Sequence, residues 1–292
     1  MDRAFLIYNP TSGRENITLN LETIREKLNK ENYETTVYET KKPGDAILKA
    51  SLACLEYDTI IVAGGDGTLH EVVNGLAFSR QHVKLGIIPG GTSNDFAKAL
   101  QIPLNAMEAC KVIGRRNIKE VDLGHINHKI FINIAAGGIL TGVSYEVPSK
   151  LKTYFGHLAY YAKGLEKLPH LKPAKLKINT PGFSIEDEFM LFLVANSKSV
   201  GGFEHLAPKA KINDGFLDLI AVKQVNIGEF FGLVTKLIRG HHTEHPKVIY
   251  KHTQYVDISS REIVPLNTDG EYAGNLPCTI RVLPKHLKVL TP

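Results

Sequence analysis

The chain has 292 residues, with 35 Lys and Arg against 30 Asp and Glu for a formal charge of +5, and 43% of them are hydrophobic. These are ordinary globular values that exclude intrinsic disorder, and at roughly 150 residues per domain the length predicts two domains, neither needing a disulfide or metal staple. No apolar run approaches the roughly 18 to 20 residues of a spanning helix, the longest being stretches such as Phe189 to Ala195.

Met1-Asp2-Arg3 leads straight into Ala4 to Tyr8, a strand too short to be the apolar region of a signal peptide, so a cytoplasmic location is expected. Ile17, Leu21, Ile24 and Leu28 recur at helical spacing. Thr35 to Tyr38 reads as a strand, Asp45 to Leu55 as a helix, and Thr59 to Ala63 as an apolar strand of the kind buried on both faces. Helices are predicted over Thr68 to Phe78, Asp95 to Leu100 and Pro103 to Gly114, with a strand over Lys84 to Ile88. This alternation is the signature of βα units and a mainly parallel sheet.

From about Ile118 the texture changes to longer strands: Glu120 to Ile126, Lys129 to Ala135, Ala174 to Ile178, Glu188 to Asn196, Phe216 to Val222, Lys247 to Ser259 and Thr279 to Leu283. A second, antiparallel domain is predicted, interrupted by helices over Phe155 to Leu168 and Ile227 to Arg239. Cys54, Cys110 and Cys278 are scattered, which suits small buried hydrophobes in a reducing compartment.

The strongest local signal is Gly64-Gly65-Asp66-Gly67-Thr68, set between a buried strand and a helix. Glycines there permit close backbone approach, and the helix N-terminus presents unpaired N–H groups to an anion, most simply a phosphate. Asp66 would repel phosphate unless a cation lay between them, which a Mg²⁺–nucleotide supplies. Pro89-Gly90-Gly91-Thr92-Ser93-Asn94-Asp95 repeats the strand–glycine–helix arrangement, and Asn9-Pro10-Thr11-Ser12-Gly13-Arg14 follows the first strand. In a parallel sheet all three converge on the carboxyl edge, the usual ligand side. Any one of them could be a plain glycine-rich turn; three together argue for a phosphate site. No GxGxxG with a downstream acid, no GxxxxGK[ST] and no GxSxG occurs, so Rossmann, P-loop and hydrolase-elbow readings lack support.

With these loops the sequence resembles the diacylglycerol kinase catalytic family, in particular its soluble bacterial lipid kinases. The match continues through Val121-Asp122-Leu123-Gly124, Asn213-Asp214-Gly215 and Asp269-Gly270-Glu271. The resemblance implies a three-layer α/β nucleotide-binding domain of the NAD kinase and phosphofructokinase type, residues 1–124 with a C-terminal return at about 284–292. It also implies a β-sandwich-like lipid domain, residues 125–283, with the active site in the cleft between the two. It implies that Asn9, Pro10, Thr11, Ser12, Gly13, Thr40, Gly65, Asp66, Gly67, Thr68, Leu69, His70, Glu71 and Thr92 contact ATP. Asp66, Asp95 and Asp122 would form an acidic, metal-linked network, Glu271 would accept a proton with Asp269 beside it, and Asp214 with the carbonyls of Lys211 and Phe216 would hold Mg²⁺.

The residues themselves suit that chemistry. Phosphoryl transfer asks an enzyme to position groups, neutralise charge and accept one proton. Asp269 and Glu271 straddle Gly270, so in extended chain they would face one way, whereas an Asp-Gly hairpin turn is the plain alternative. Asp214-Gly215 likewise reads as a polar turn before a strand. The expected function is ATP-dependent phosphorylation of diacylglycerol to phosphatidic acid. Kinases for phosphatidylglycerol, a sphingosine-like lipid or NAD are alternatives, as is a nucleotide- or lipid-sensing regulatory protein.

The net charge is local. Residues 150–177 hold seven lysines against Glu166 alone, a local +6 that leaves the rest of the chain at −1. Tyr154, Phe155, Tyr160 and Tyr161 lie among them, a mix suited to peripheral contact with an anionic membrane. The plain alternative is a core stripe with solvated lysines. Nucleic acid is not expected as a partner, and a homodimer is left open. His241, His242 and His245 suggest zinc by their spacing, but Gly240 and Pro246 bracket them, so a solvated helix end is the better reading.

Overall fold

The computed structural model describes residues 1–11, 17–79, 83–138, 173–200 and 205–292. The chain divides into two compact units, Met1–Leu123 with Leu283–Pro292, and Gly124–Val282.

The first unit is built on a parallel sheet of β1 (Asp2–Tyr8), β2 (Tyr33–Glu39), β3 (Thr59–Gly64), β4 (Lys84–Pro89) and the end of β15 (Cys278–Leu290). The spatial order is β2-β1-β3-β4-β15, with Leu6 opposite Val37 and Ile61, Ile61 opposite Gly86, and Val289 opposite Leu85. Every residue of β3 is buried, as its unbroken apolar run requires of a central parallel strand. Helices α1 (Ile17–Lys30), α2 (Asp45–Ala53), α3 (Asp66–Leu76), α4 (Asp95–Ala99) and α5 (Ala106–Arg115) supply the crossovers. Asn105 caps α5 by accepting from the amides of Met107 and Glu108, and Arg116 ends it in the left-handed region at φ 58°. Burial pushes the Cys110 thiol up to about 12, so it packs as an inert small hydrophobe.

Helix α3 begins two residues before the predicted Thr68, because Gly65 already serves as its N-cap. The predicted helix Pro103 to Gly114 starts only at Ala106, after the Asn105 cap.

The second unit is antiparallel and sandwich-like. It contains the end of β5 (Ile118–Ile126), β6 (Lys129–Phe131), β7 (Ile134–Gly138), β8 (Ala174–Thr180), β9 (Phe183–Ala195), β10 (Leu217–Lys223), β11 (Val248–Thr253), β12 (Tyr255–Ser260), β13 (Pro265–Thr268) and β14 (Glu271–Asn275). Strand β9 pairs with β8 through its first half, and with both β7 and β10 through its second. Phe131, Phe189, Phe192, Leu217 and Ile258 fill one core. A second core, around Ala195, Ile220 and Val222, takes Phe230 and Leu233 from helix α6 (Ile227–Ile238).

Two predicted strands break. Lys129 to Ala135 splits at Ile132 and Asn133, and Lys247 to Ser259 splits at Gln254. The hairpin β13–β14 escaped the reading of strands altogether, its segments being short and polar. The predicted helix Phe155 to Leu168 and most of the lysine-rich segment lie outside the described residues. Of that segment's described lysines, Lys175 pairs with Glu186 at 3.0 Å, and β8 is matched residue for residue with Glu186, Asp187 and Glu188 of β9. At this end the basic patch is therefore offset by carboxylates that fall just beyond the charge window.

Candidate active site

Three loops leave the carboxyl ends of β1, β3 and β4 at one edge of the parallel sheet. The second and third touch backbone to backbone: the Gly90 amide donates to the Gly64 carbonyl at 2.8 Å. A Cβ on Gly91 would stand 2.7 Å from the Cα of Gly65, and one on Gly65 would stand 3.2 Å from the Cα of Gly91. These glycines are required by loop–loop contact. Gly67 differs, because a Cβ there would meet nothing within 4 Å and the residue is exposed. It leaves open space over the first turn of α3, a helix whose start no side chain caps.

Asp66 accepts from the amides of Asn94 at 2.8 Å and Asp95 at 3.0 Å. The carboxylate thus ties two loops together. Asn94 sits at φ 50°, accepts from the Gly91 amide at 2.9 Å and donates to the Gly91 carbonyl at 2.7 Å. Its signal in the sequence is that Asn tolerates the left-handed region and bonds to nearby backbone.

In the first loop, Asn9 donates to the Thr68 hydroxyl at 3.3 Å and accepts from the Thr11 amide and hydroxyl, both at 2.9 Å. Pro10 lies between them, and the Thr40 amide reaches the Tyr8 carbonyl at 2.9 Å. Ser12 and Gly13 lie outside the described residues. Thr92 is exposed and Asp95 is buried at the start of α4. The Tyr8 hydroxyl donates to Glu39, and that carboxylate raises its pKa to about 12.

Four further expected site residues make contacts within the first unit. Leu69 is 4% exposed and its amide is taken by the Gly65 carbonyl. His70 is 6% exposed and its Nε2 meets the Asn74 amide group at 3.2 Å. Glu71 accepts from the amides of Gly44 at 3.0 Å and Ala46 at 3.1 Å, capping α2. Asp122 is fully buried and accepts from the Lys285 amide at 2.7 Å, anchoring the returning C-terminal strand.

In the second unit, Asp269 and Gly270 form the two-residue turn between β13 and β14, with φ of 49° and 99°. The extended Asp-Gly-Glu arrangement is thus replaced by the hairpin alternative. The Asp269 carboxylate accepts from the amides of Ile132 at 2.7 Å, Asn133 at 2.9 Å and Ile134 at 3.0 Å. This carboxylate takes the amides of Ile132 and Asn133, where the predicted strand Lys129 to Ala135 splits, and that of Ile134, the first residue of β7. Glu271, the first residue of β14, is exposed, and its carboxylate has no hydrogen-bond or ion-pair partner among the described residues. Beside the turn, the Thr268 hydroxyl is buried without a partner among the described residues.

Asp214 accepts from the Phe216 amide at 3.1 Å, and its other oxygen lies 3.7 Å from Nε2 of His252, whose ring stacks on Phe216 at 4.4 Å. The three histidines of the 241–245 segment diverge. His241 meets Glu244 at 3.3 Å, buried His242 meets the Leu206 carbonyl at 2.8 Å, and His245 accepts from the Lys247 amide at 3.2 Å. Among the described residues no group of three or more His, Cys, Asp or Glu side chains is placed to hold a metal. A Mg²⁺ here fits the mode in which one or two carboxylates and substrate phosphates share an otherwise hydrated ion, not an all-protein cage.

Comparison with known proteins decides the family. Residues 3–126 match the diacylglycerol kinase catalytic domain model, and residues 137–291 match the YegS C-terminal NAD kinase beta sandwich-like domain model. The chain belongs to the diacylglycerol kinase family. It is 48% identical over 291 residues to the diacylglycerol kinases of Staphylococcus aureus strains bovine RF122 / ET3-1 and MRSA252, covering 99% of this chain and 92% of each relative. A crystal structure of a diacylglycerol kinase from Bacillus anthracis str. Sterne superposes with a TM-score of 0.80 at 29% identity, over 100% of this chain and 97% of that one. The diacylglycerol kinase family members are phosphotransferases, and this chain is a kinase with ATP as the substrate its family implies. No described helix is long and apolar enough to cross a membrane.

Proposed function

We propose that the chain transfers the γ-phosphoryl group of ATP to the free hydroxyl of diacylglycerol, yielding phosphatidic acid. The single observation that carries the reading is the pair of loops locked by Asp66. Its bonds to the Asn94 and Asp95 amides hold the uncapped start of α3 and the open space over Gly67 in one rigid cradle. A cradle of N–H groups that needs no reorganisation stabilises charge on the transferring phosphoryl group.

In this reading Asn9, Thr11, Thr40 and Thr68 orient the nucleotide, and Thr92 and Asp95 border the same cradle. Mg²⁺, when bound with the nucleotide, supplies charge neutralisation between the phosphate oxygens. A second Mg²⁺ would be held by Asp214 and the carbonyls of Lys211 and Phe216, all hard oxygen donors. Glu271 takes the proton of the attacking hydroxyl. Its free carboxylate supports that role, whereas the carboxylate of Asp269 is occupied by three amides and shapes the turn that carries Glu271. The enzyme works peripherally at an anionic membrane surface, where its substrate resides.

The test is ADP release from Mg-ATP with diacylglycerol in mixed micelles, run against phosphatidylglycerol, sphingosine and NAD as acceptors. Turnover with diacylglycerol, and its loss by about 10²-fold or more in Glu271→Gln, is the expected result. Turnover with NAD alone sinks the lipid reading, and ATP binding without any acceptor returns the chain to a sensor.

A further inference from the structure

The second unit contains a cavity of about 660 Å³ that the reading above leaves unused, within the usual size range for a small-molecule site. Its walls carry Lys209, Lys251, His241, Thr243, Tyr250 and Phe183. The two ammonium groups are held by aromatic faces, Lys209 at 5.5 Å from the Tyr250 ring centroid and Lys251 at 4.3 Å from that of Phe183. Among the described residues neither lysine has a carboxylate within ion-pair distance. The acid in the wall, Glu244, is engaged by His241 at 3.3 Å. Tyr250 is itself fixed, its hydroxyl donating to buried Asp218 at 2.7 Å. The cavity therefore presents two positioned, unneutralised cations together with hydroxyl and imidazole donors, a set suited to a phosphate ester.

What lies beside it indicates where that ester comes from. Gly240 lines the cavity and follows directly on the end of α6. That helix buries Phe230 and Leu233 against the second core and turns Phe231, 53% exposed, and Ile238, 64% exposed, outward. Residues seven apart share one side of a helix, so this is an apolar side facing away from the core. Lys236 stands in its last turn and Arg239 at its C-cap. An apolar helix side flanked by cations is how an interfacial helix meets an anionic bilayer. A free phosphate has no use for it.

We propose that this cavity binds the phosphate of a membrane glycerophospholipid headgroup, with the outward side of α6 seated in the adjoining acyl region. The inference rests on the lipid-kinase reading for its membrane context, and the site is separate from the residues assigned there to ATP, Mg²⁺ and proton transfer.

The experiment is co-sedimentation of the full chain with phosphatidylcholine vesicles, with and without phosphatidylglycerol, paired with calorimetric titration of glycerol 3-phosphate. The wild type is expected to favour the anionic vesicles and to take up glycerol 3-phosphate weakly. Lys209→Ala with Lys251→Ala should lower anionic-vesicle binding by about tenfold or more and abolish the glycerol 3-phosphate signal. Phe231→Ser with Ile238→Ser should weaken binding to both vesicles and leave the glycerol 3-phosphate signal intact. Unchanged nucleotide binding and thermal midpoint in each variant show that the fold persists. Anionic-vesicle binding that survives loss of both lysines overturns the proposal. If glycerol 3-phosphate binds but the Phe231 and Ile238 changes leave vesicle binding untouched, the cavity serves a free phosphate ester and the membrane assignment falls. Kinase turnover in detergent micelles is measured in parallel. Its absence in the wild type overturns the proposed function, while the vesicle data alone decide this one.

Discussion

Asp269 separates a structural carboxylate from a catalytic one. Its oxygens accept from the amides of Ile132, Asn133 and Ile134 at 2.7, 2.9 and 3.0 Å, and those residues are 0%, 4% and 7% exposed, so water cannot replace a lost acceptor. In Asp269→Asn the side-chain oxygen can still serve Asn133 and Ile134, but an NH₂ faces the Ile132 amide. One charge-assisted bond is lost and two become neutral, at a cost of about 2 to 3 kcal/mol. Asp269→Gly keeps the positive φ of the turn without strain and removes every acceptor, so about 4 kcal/mol or more is expected. For a unit of this size 1 kcal/mol corresponds to roughly 2 to 4 °C in Tm, which puts the Asn variant about 4 to 12 °C below wild type. Thermal unfolding by circular dichroism reads the shift, and Glu271→Gln should leave Tm within about 1 °C because Glu271 is exposed and unpartnered. If Asp269→Asn keeps the wild-type Tm but loses turnover as Glu271→Gln does, the structural role is wrong and Asp269 belongs to the chemistry.

Three further outcomes follow from the same structure. Gly91→Ala should lower Tm and weaken ATP binding together, because its Cβ would stand 2.7 Å from the Gly65 backbone, whereas Gly67→Ala, with open space around it, should weaken ATP binding and spare Tm; equal effects in nucleotide titrations and melting curves would contradict this. Removing the Glu71 carboxylate in Glu71→Ala should cost about 1 kcal/mol by uncapping α2, with ATP affinity nearly unchanged in a fluorescent-nucleotide titration, and a large affinity loss would return Glu71 to the nucleotide site. His242 is held neutral by burial, which lowers its pKa more strongly than its bond to the Leu206 carbonyl raises it. The unfolded chain therefore takes up a proton that the native one resists, and stability falls by up to about 1.4 kcal/mol per pH unit below about pH 6.5. Urea denaturation at a series of pH values should show a shallower acid slope in His242→Gln, and an unaltered slope would assign the effect elsewhere.

Local features of the sequence were enough for the βα order and the three loops at one sheet edge, while the candidacy of Glu271 came from the family resemblance. Periodicity and glycine placement report on hydrogen bonds that close within a few residues, and the run Thr59 to Ala63 reads as a strand buried on both faces, as β3 is. The partners of the carboxylates were decided by tertiary structure. Asp66 bonds to amides 28 and 29 residues away, Glu71 to amides 27 and 25 away, Asp122 to one 163 away, and Asp269 to three between 135 and 137 away. No spacing rule reaches such distances: three acids that the family resemblance assigns to the nucleotide or its metal, and a fourth that it sets beside Glu271, tie a loop, cap a helix, anchor a strand and lock a turn in the fold. The same holds for the lysines: Lys175 belongs to a basic run along the chain but to a balanced pair across β8 and β9, because charge is summed in space and not in sequence.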